Sequence, residues 1–232
     1  KDGARRVLAK FSDDAAVDEV VADLCSDESS IREDALIIDH TTTAPAGTKA
    51  RATKLLELQL SFLHAPVFMS PAMCLSGSGL MLLAGPAALR ERATPALRTM
   101  TGEVIDLGDR EDAAAAYKLF GNAMIIALSA GLSDVFAIAR ANGFDPVDAL
   151  GLFSKFNPTV NNPRSQRMAQ GDFMPPSFTL AMARKDVRLM LASAGEAPLA
   201  VLPAIAERMD ALIDKGFSEA DLGVLAIGDS CK

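Results

Sequence analysis

Tryptophan is absent from this chain of 232 residues, tyrosine occurs once and histidine twice. With only His40 and His64 available, no multi-histidine metal centre is expected. The three cysteines, Cys25, Cys74 and Cys231, are odd in number, far apart and outside any metal-ligand spacing. Isolated thiols suit a reducing compartment better than a disulfide scaffold, so a cytoplasmic protein is expected. Lysine and arginine form no strong cluster: "RERATPALR" comes nearest and is mixed in sign, and the net charge is -7. That balance argues against nucleic acid, whose phosphates need basic patches. The opening "KDGARR" has no apolar signal-peptide segment. Long hydrophobic runs are missing too. The uncharged apolar run between Lys118 and Asp134, 119–133, has 15 residues, short of the roughly 18–20 that a spanning helix needs. A buried helix and no membrane partner are therefore expected.

Half of the residues are apolar, enough core for one large domain or two small ones. The first half alternates short apolar strands with helical stretches. "RRVLAKF", "DALIIDH", "APVFMS", "GLMLLAG" and "GEVIDLG" read as strands. Between them "DAAVDEVVADL", "TKARATKLLELQL" and "PAALRERATPALRTM" read as helices. This alternation predicts an α/β sheet with some parallel pairing. After about Asp109 the strand signal stops, and helices are expected over 112–142, 145–156, 178–195, 197–216 and 218–228. A Pro/Asn-rich loop, "NPTVNNPRSQRMAQGDFMPP", is expected between the second and third.

The helix "AAAAYKLFGNAMIIALSAGLSD" carries Lys118 and Asn122 four residues apart, on nearly one face, in apolar surroundings. A buried ammonium is costly unless it is paired or serves chemistry. Two readings stand: a group kept for proton transfer, or a lysine whose stem lies on apolar surface while its head reaches water.

Five segments, in order, carry a family pattern. They are "VLAKFSDDAAVDEVV", "LIIDHTTTAP", "HAPVFMSPAMCLSGSGLMLLAGP", "YKLFGN" and "FTLAMARKDVRLMLASA". The second resembles a D-x-S-T-x-x-P signature, the third a D-A-P-V-S-G-G segment, the fourth K-x-x-x-N and the last a late K-D pair. Together they resemble the β-hydroxyacid dehydrogenases, the family of 3-hydroxyisobutyrate dehydrogenase and its tartronate-semialdehyde and glyoxylate-reducing relatives. The resemblance implies an incomplete Rossmann-type sheet followed by an all-α domain. Residues 1–109 would be the later part of a dinucleotide-binding domain and 110–232 a substrate and dimerisation domain. The G-x-G-x-x-G turn that receives the pyrophosphate is not in the sequence, so the chain is expected to begin in mid-domain.

NAD or NADP, a small-molecule substrate and a homodimer are implied. Lys118 would be the acid and base. Asn122, Ser70, Thr43 and Phe178 would face the substrate, and Phe11, Ser12, Thr42 and Lys185 the cofactor. Without the family, Thr42 and Thr43 are a hydroxyl-rich turn. Phe11 and Ser12 are then a strand end and helix cap, Lys185 with Asp186 a surface pair, and Phe178 a core aromatic. Three departures are visible. "FMS" replaces S-G-G, His64 replaces the aspartate before A-P-V, and Asp112 and Ala114 replace glycines. Larger side chains at Phe68 and Met69 imply a bulkier or less polar substrate. An imine reductase-like enzyme is the alternative, although such enzymes usually carry another proton donor where Lys118 stands. A helical interaction module without cofactor is the third reading.

Overall fold

The computed structural model describes residues 6–9, 11, 13–26, 34–153, 155 and 163–227. It forms two compact units, Lys1–Met124 and Ile125–Lys232. The division falls inside the longest helix, α5 (Ala113–Ala141), and not at 109, so the first turns of that helix belong to the α/β unit.

In the first unit β1 (Arg6–Ala9), α1 (Asp14–Ser26), β2 (Leu36–Asp39), α2 (Pro45–Glu57) and β3 (Ser61–His64) follow one another. The three strands are parallel, in the order β1-β2-β3. Their register sets Ala9 beside Asp39 and Asp39 beside His64, so the strand ends form one edge. A second sheet contains β4 (Val67–Phe68), β5 (Leu80–Leu83) and β6 (Glu103–Asp106), with α3 (Pro71–Leu75) and α4 (Ala87–Leu97) between them. β4 runs antiparallel and β6 parallel to β5.

Side chains alternate across this sheet. Val67, Met69, Met81 and Leu83 join Leu36, Ile38, Leu63, Ala93 and Leu97 in one core. Phe68, Leu80 and Leu82 face the other way, against Ala113 and Ala114. The alanine run thus has a structural cause: Ala113, Ala114 and Ala115 are buried, and their small side chains let α5 lie close to the sheet.

The second unit contains the remainder of α5, then α6 (Pro146–Phe153), α7 (Pro163–Gln170), α8 (Leu180–Ala194) and α9 (Leu202–Leu212). A π-type turn (Ile213–Phe217) and a 3-10 turn (Leu222–Ala226) follow. Leu180, Ala183 and Val187 recur at helical spacing on α8 and pack with Met209, Leu212 and Val224. Asp221 ties this unit together. It accepts hydrogen bonds from the backbone of Ser177, Phe178 and Gly223 and from the Ser177 hydroxyl, and pairs with Arg164. Burial alone would push its carboxyl up, but those donors outweigh it and hold the group far below the usual carboxylate range.

Four elements differ from the sequence expectation. β3 was not read from the sequence and begins directly after the helical pattern that was read on to Leu60: α2 ends at Glu57, and Gln59 takes the left-handed conformation (φ 58°) that turns the chain into the strand. Of "APVFMS" only Val67–Phe68 is strand, and the short helix α3 follows. α7 occupies part of the expected loop. The last expected helix is only a 3-10 turn, because Asp221 is extended and its carboxylate binds the Gly223 N–H.

α5 is also long and apolar enough, by length and composition, to cross a membrane, since it continues past the uncharged run at both ends. Two charged residues on it, Lys118 and Asp134, are nevertheless buried in protein, at 8% and 2% exposure.

Candidate active site

The edge formed by the strand ends of the first sheet is built on buried charge. Asp39 is fully buried and accepts the Thr41 N–H at 2.8 Å. Arg51, with its side chain 1% exposed, lies 3.6 Å from Asp39 Oδ2 and also binds Asp14 (3.1 Å) and Asp18 (2.8 Å). Asp14 in turn accepts the Ala44 N–H at 2.8 Å. Loop 41–44 is therefore pinned at both ends by carboxylates that share one guanidinium, an arrangement that compensates the cost of burying the charges.

Within that loop the threonines divide their tasks. Thr41 is buried and its hydroxyl accepts the Phe11 N–H at 2.8 Å. Thr43 is buried, with its hydroxyl 2.7 Å from Thr48 Oγ1 and 3.2 Å from His64 Nε2. Thr42 alone of the three is exposed. Phe11 is 37% exposed at the end of β1, and Ser12 lies outside the described residues. An exposed aromatic and an exposed hydroxyl at the carboxyl ends of adjacent parallel strands fit the nicotinamide end of a dinucleotide, in apolar contact and hydrogen-bonding chemistry respectively.

His64, noted above only as a departure, closes this network. Its Nε2–H donates to the Thr41 carbonyl at 2.9 Å, and its Nδ1 is buried with no hydrogen-bond partner among the described residues. Burial is the main cause that lowers its pKa, with Arg51 and His40 acting in the same direction; the Thr41 carbonyl and Asp39 oppose it. The ring is thus held neutral. A folded pKa below the unfolded value of roughly 6.5 means that the unfolded chain takes up the proton first. The stability is complete above that pH and declines as the pH falls below it. Urea midpoints measured from pH 7.5 down to 5 should therefore drop more steeply in the parent than in His64→Asn; parallel curves would show that another group governs this range.

The second part of the site surrounds Lys118. Its Nζ lies 3.7 Å from the centroid of the Phe68 ring. Asn122, one turn further on, is half-buried. Gly121 makes the approach of Phe68 possible: a Cβ there would stand 2.7 Å from Phe68 Cε1 and closer still to Cζ. A glycine inside a helix is the sequence signal for such a close contact, and Gly121 was not singled out by the sequence reading. Ser70 is exposed and its hydroxyl caps α3, accepting the Met73 N–H at 3.3 Å. Phe178 and Lys185 belong to the second unit. Phe178 packs beside the core around Leu180, and Lys185 pairs with Asp186 at 2.9 Å with both side chains partly exposed. Among the described residues no group of three or more metal-ligating side chains occurs.

Residues 2–108 match the NAD binding domain of 6-phosphogluconate dehydrogenase. An uncharacterized oxidoreductase of Bacillus subtilis, YfjR, is 26% identical over 94% of this chain and 78% of its own length. The 3-sulfolactaldehyde reductase of Escherichia coli is 30% identical over 68% of this chain and 53% of its own length. An imine reductase from Myxococcus stipitatus, solved in complex with NADP+, superposes with a TM-score of 0.83 at 18% identity, covering 96% of this chain and 79% of that one. That last likeness establishes a shared fold, with the Rossmann-type sheet and helical part expected above. Taken with the ordered motifs, the matched domain and the oxidoreductase relatives support a β-hydroxyacid dehydrogenase family member with an NAD(P)-binding domain.

Proposed function

We propose that the protein interconverts a small β-hydroxyacid, or a related alcohol, with the corresponding aldehyde or ketone, using Lys118 as the proton-transfer group. The observation that carries this reading is the burial of the Lys118 amine against an aromatic face, on a helix shared with Asn122. A bound nicotinamide supplies or accepts the hydride. In reduction Lys118 Nζ gives a proton to the carbonyl oxygen as the C–O double bond becomes single; in oxidation it takes the hydroxyl proton. Asn122 orients the substrate oxygen by hydrogen bonding. Phe11 and Thr42 border the cofactor, and Thr43, Ser70 and Phe178 on the substrate side with Lys185 on the cofactor side complete the set that the resemblance implies.

A relative named for reducing an aldehyde points to the same chemistry. A panel of small hydroxyacids, aldehydes and ketones, assayed with NADH and NADPH beside cyclic imines, tests the reading. Turnover confined to imines would establish the imine reductase-like alternative. Absence of NADH and NADPH binding by calorimetry would leave the interaction-module reading.

The protein is further proposed to be a cytoplasmic homodimer. Phe120, Ile125 and Ile126 of α5 are 63%, 55% and 68% exposed, so apolar surface is open on several sides of the helix and calls for cover by a second copy. Light scattering at micromolar concentration should give twice the chain mass; a monomer would overturn the dimer.

A further inference from the structure

Phe68 stands where the family pattern has a small residue, and the structure gives it a defined seat. It projects from β4 to the α5 side of the sheet, packs with Leu80, Leu82, Ala113 and Ala114, and fills the notch left by Gly121. Its face lies 3.7 Å from Lys118 Nζ. The two features depend on each other, because any side chain at 121 would displace the ring. From this juxtaposition we infer that Phe68 is the positioning residue for Lys118, a ring locked by Gly121 that fixes the amine and favours its protonated form.

The physical basis is that an aromatic face attracts a cation but not a neutral amine, whereas apolar burial disfavours the cation. A leucine of similar bulk would keep the burial and lose the attraction. A protonated amine is the form needed to donate a proton to a carbonyl oxygen, so the ring biases the site toward reduction. This inference rests on the proposed role of Lys118 for its catalytic meaning, while the effect on the amine can be measured without any turnover.

The experiment follows the ε-carbon resonance of Lys118 through a pH titration of the full chain carrying 13C-labelled lysine. The signal is assigned by its loss in Lys118→Arg. Phe68→Leu should lower the titration midpoint by about 0.4–1.5 units, the value of a cation–π contact expressed in pKa. Phe68→Tyr should retain the parent midpoint. Gly121→Ala should reproduce the Phe68→Leu shift, and the double variant should add nothing further, since both changes remove the same contact. A midpoint that moves by less than about 0.4 unit in Phe68→Leu would overturn the inference, because the contact would then be worth less than the cation–π range. So would additive shifts in the double variant. Failure of the enzymatic reading shows differently: the parent would turn over no substrate with NADH or NADPH although the midpoints shift as stated.

Discussion

Replacing Lys118 by methionine or alanine is expected to lower kcat by roughly 10²–10⁴-fold, the usual contribution of a positioned acid–base group, while the far-UV circular dichroism remains that of the parent. Methionine matters here because it preserves much of the apolar stem that α5 buries, so that any loss of turnover cannot be assigned to a cavity. Lys118→Arg should be almost as inactive. A guanidinium keeps the charge but does not give up its proton near neutral pH. The competing account, a lysine that only lines apolar surface, predicts an active methionine variant. Normal kcat in Lys118→Met would remove the proton-transfer role and leave the 8% exposed amine as a packing feature. Asn122→Ala should have a different signature, with a raised KM beside a smaller loss of kcat, because its task is orientation.

The sequence revealed Lys118 and Asn122 because helical periodicity is local: a spacing of four fixes a shared face without knowledge of the rest of the fold. The alternation of strands and helices was legible for the same reason. What escaped was whatever depends on distant partners. β3 was hidden because the apolar positions of α2 run on through Leu58 and Leu60, with no glycine at Gln59 to mark the stop. Phe68 was recognised as too large for the family pattern, yet its seat at Gly121 is 53 positions away along the chain and no local rule connects the two. His64 registered as a lost aspartate. Its work, holding the Thr41 carbonyl while Thr43 bonds to Thr48, becomes visible only when β3 is set beside β2. These residues lie at the edge where sequential elements meet. There a substitution that breaks a motif can still leave the loop held, by different bonds.

The largest effect on folding is expected at Asp134, a residue that the sequence marks only as the charge ending an apolar run. Its carboxylate accepts the backbone N–H groups of Ala200, Val201 (2.9 Å) and Leu202 (2.8 Å), which open α9. No side chain of α9 itself caps that helix, so a residue from another helix satisfies the donors that every helix start leaves unpaired. Its negative charge also suits the positive end of the helix dipole. Burial tends to raise the Asp134 pKa, but the three N–H groups of Leu202, Ala200 and Val201 together lower it. Asp134→Ala leaves these donors without a partner in a site where the carboxylate is 2% exposed. A loss of about 3–5 kcal/mol is expected, each unsatisfied buried group costing roughly 1–3 kcal/mol with partial relief by water. Asp134→Asn keeps one accepting oxygen and should lose about half as much. The sign of the pH dependence follows from the lowered pKa. The contribution is complete above the unfolded carboxylate value of roughly 3.9 and disappears as the pH falls through the folded one. Urea denaturation at pH 7 would measure these losses, and a midpoint for Asp134→Ala equal to that of the parent would mean that α9 does not depend on its borrowed cap. Because the second unit is built on α9 packing against α8 around Leu180, Met209 and Leu212, loosening that cap should release the whole core and not the first turn alone.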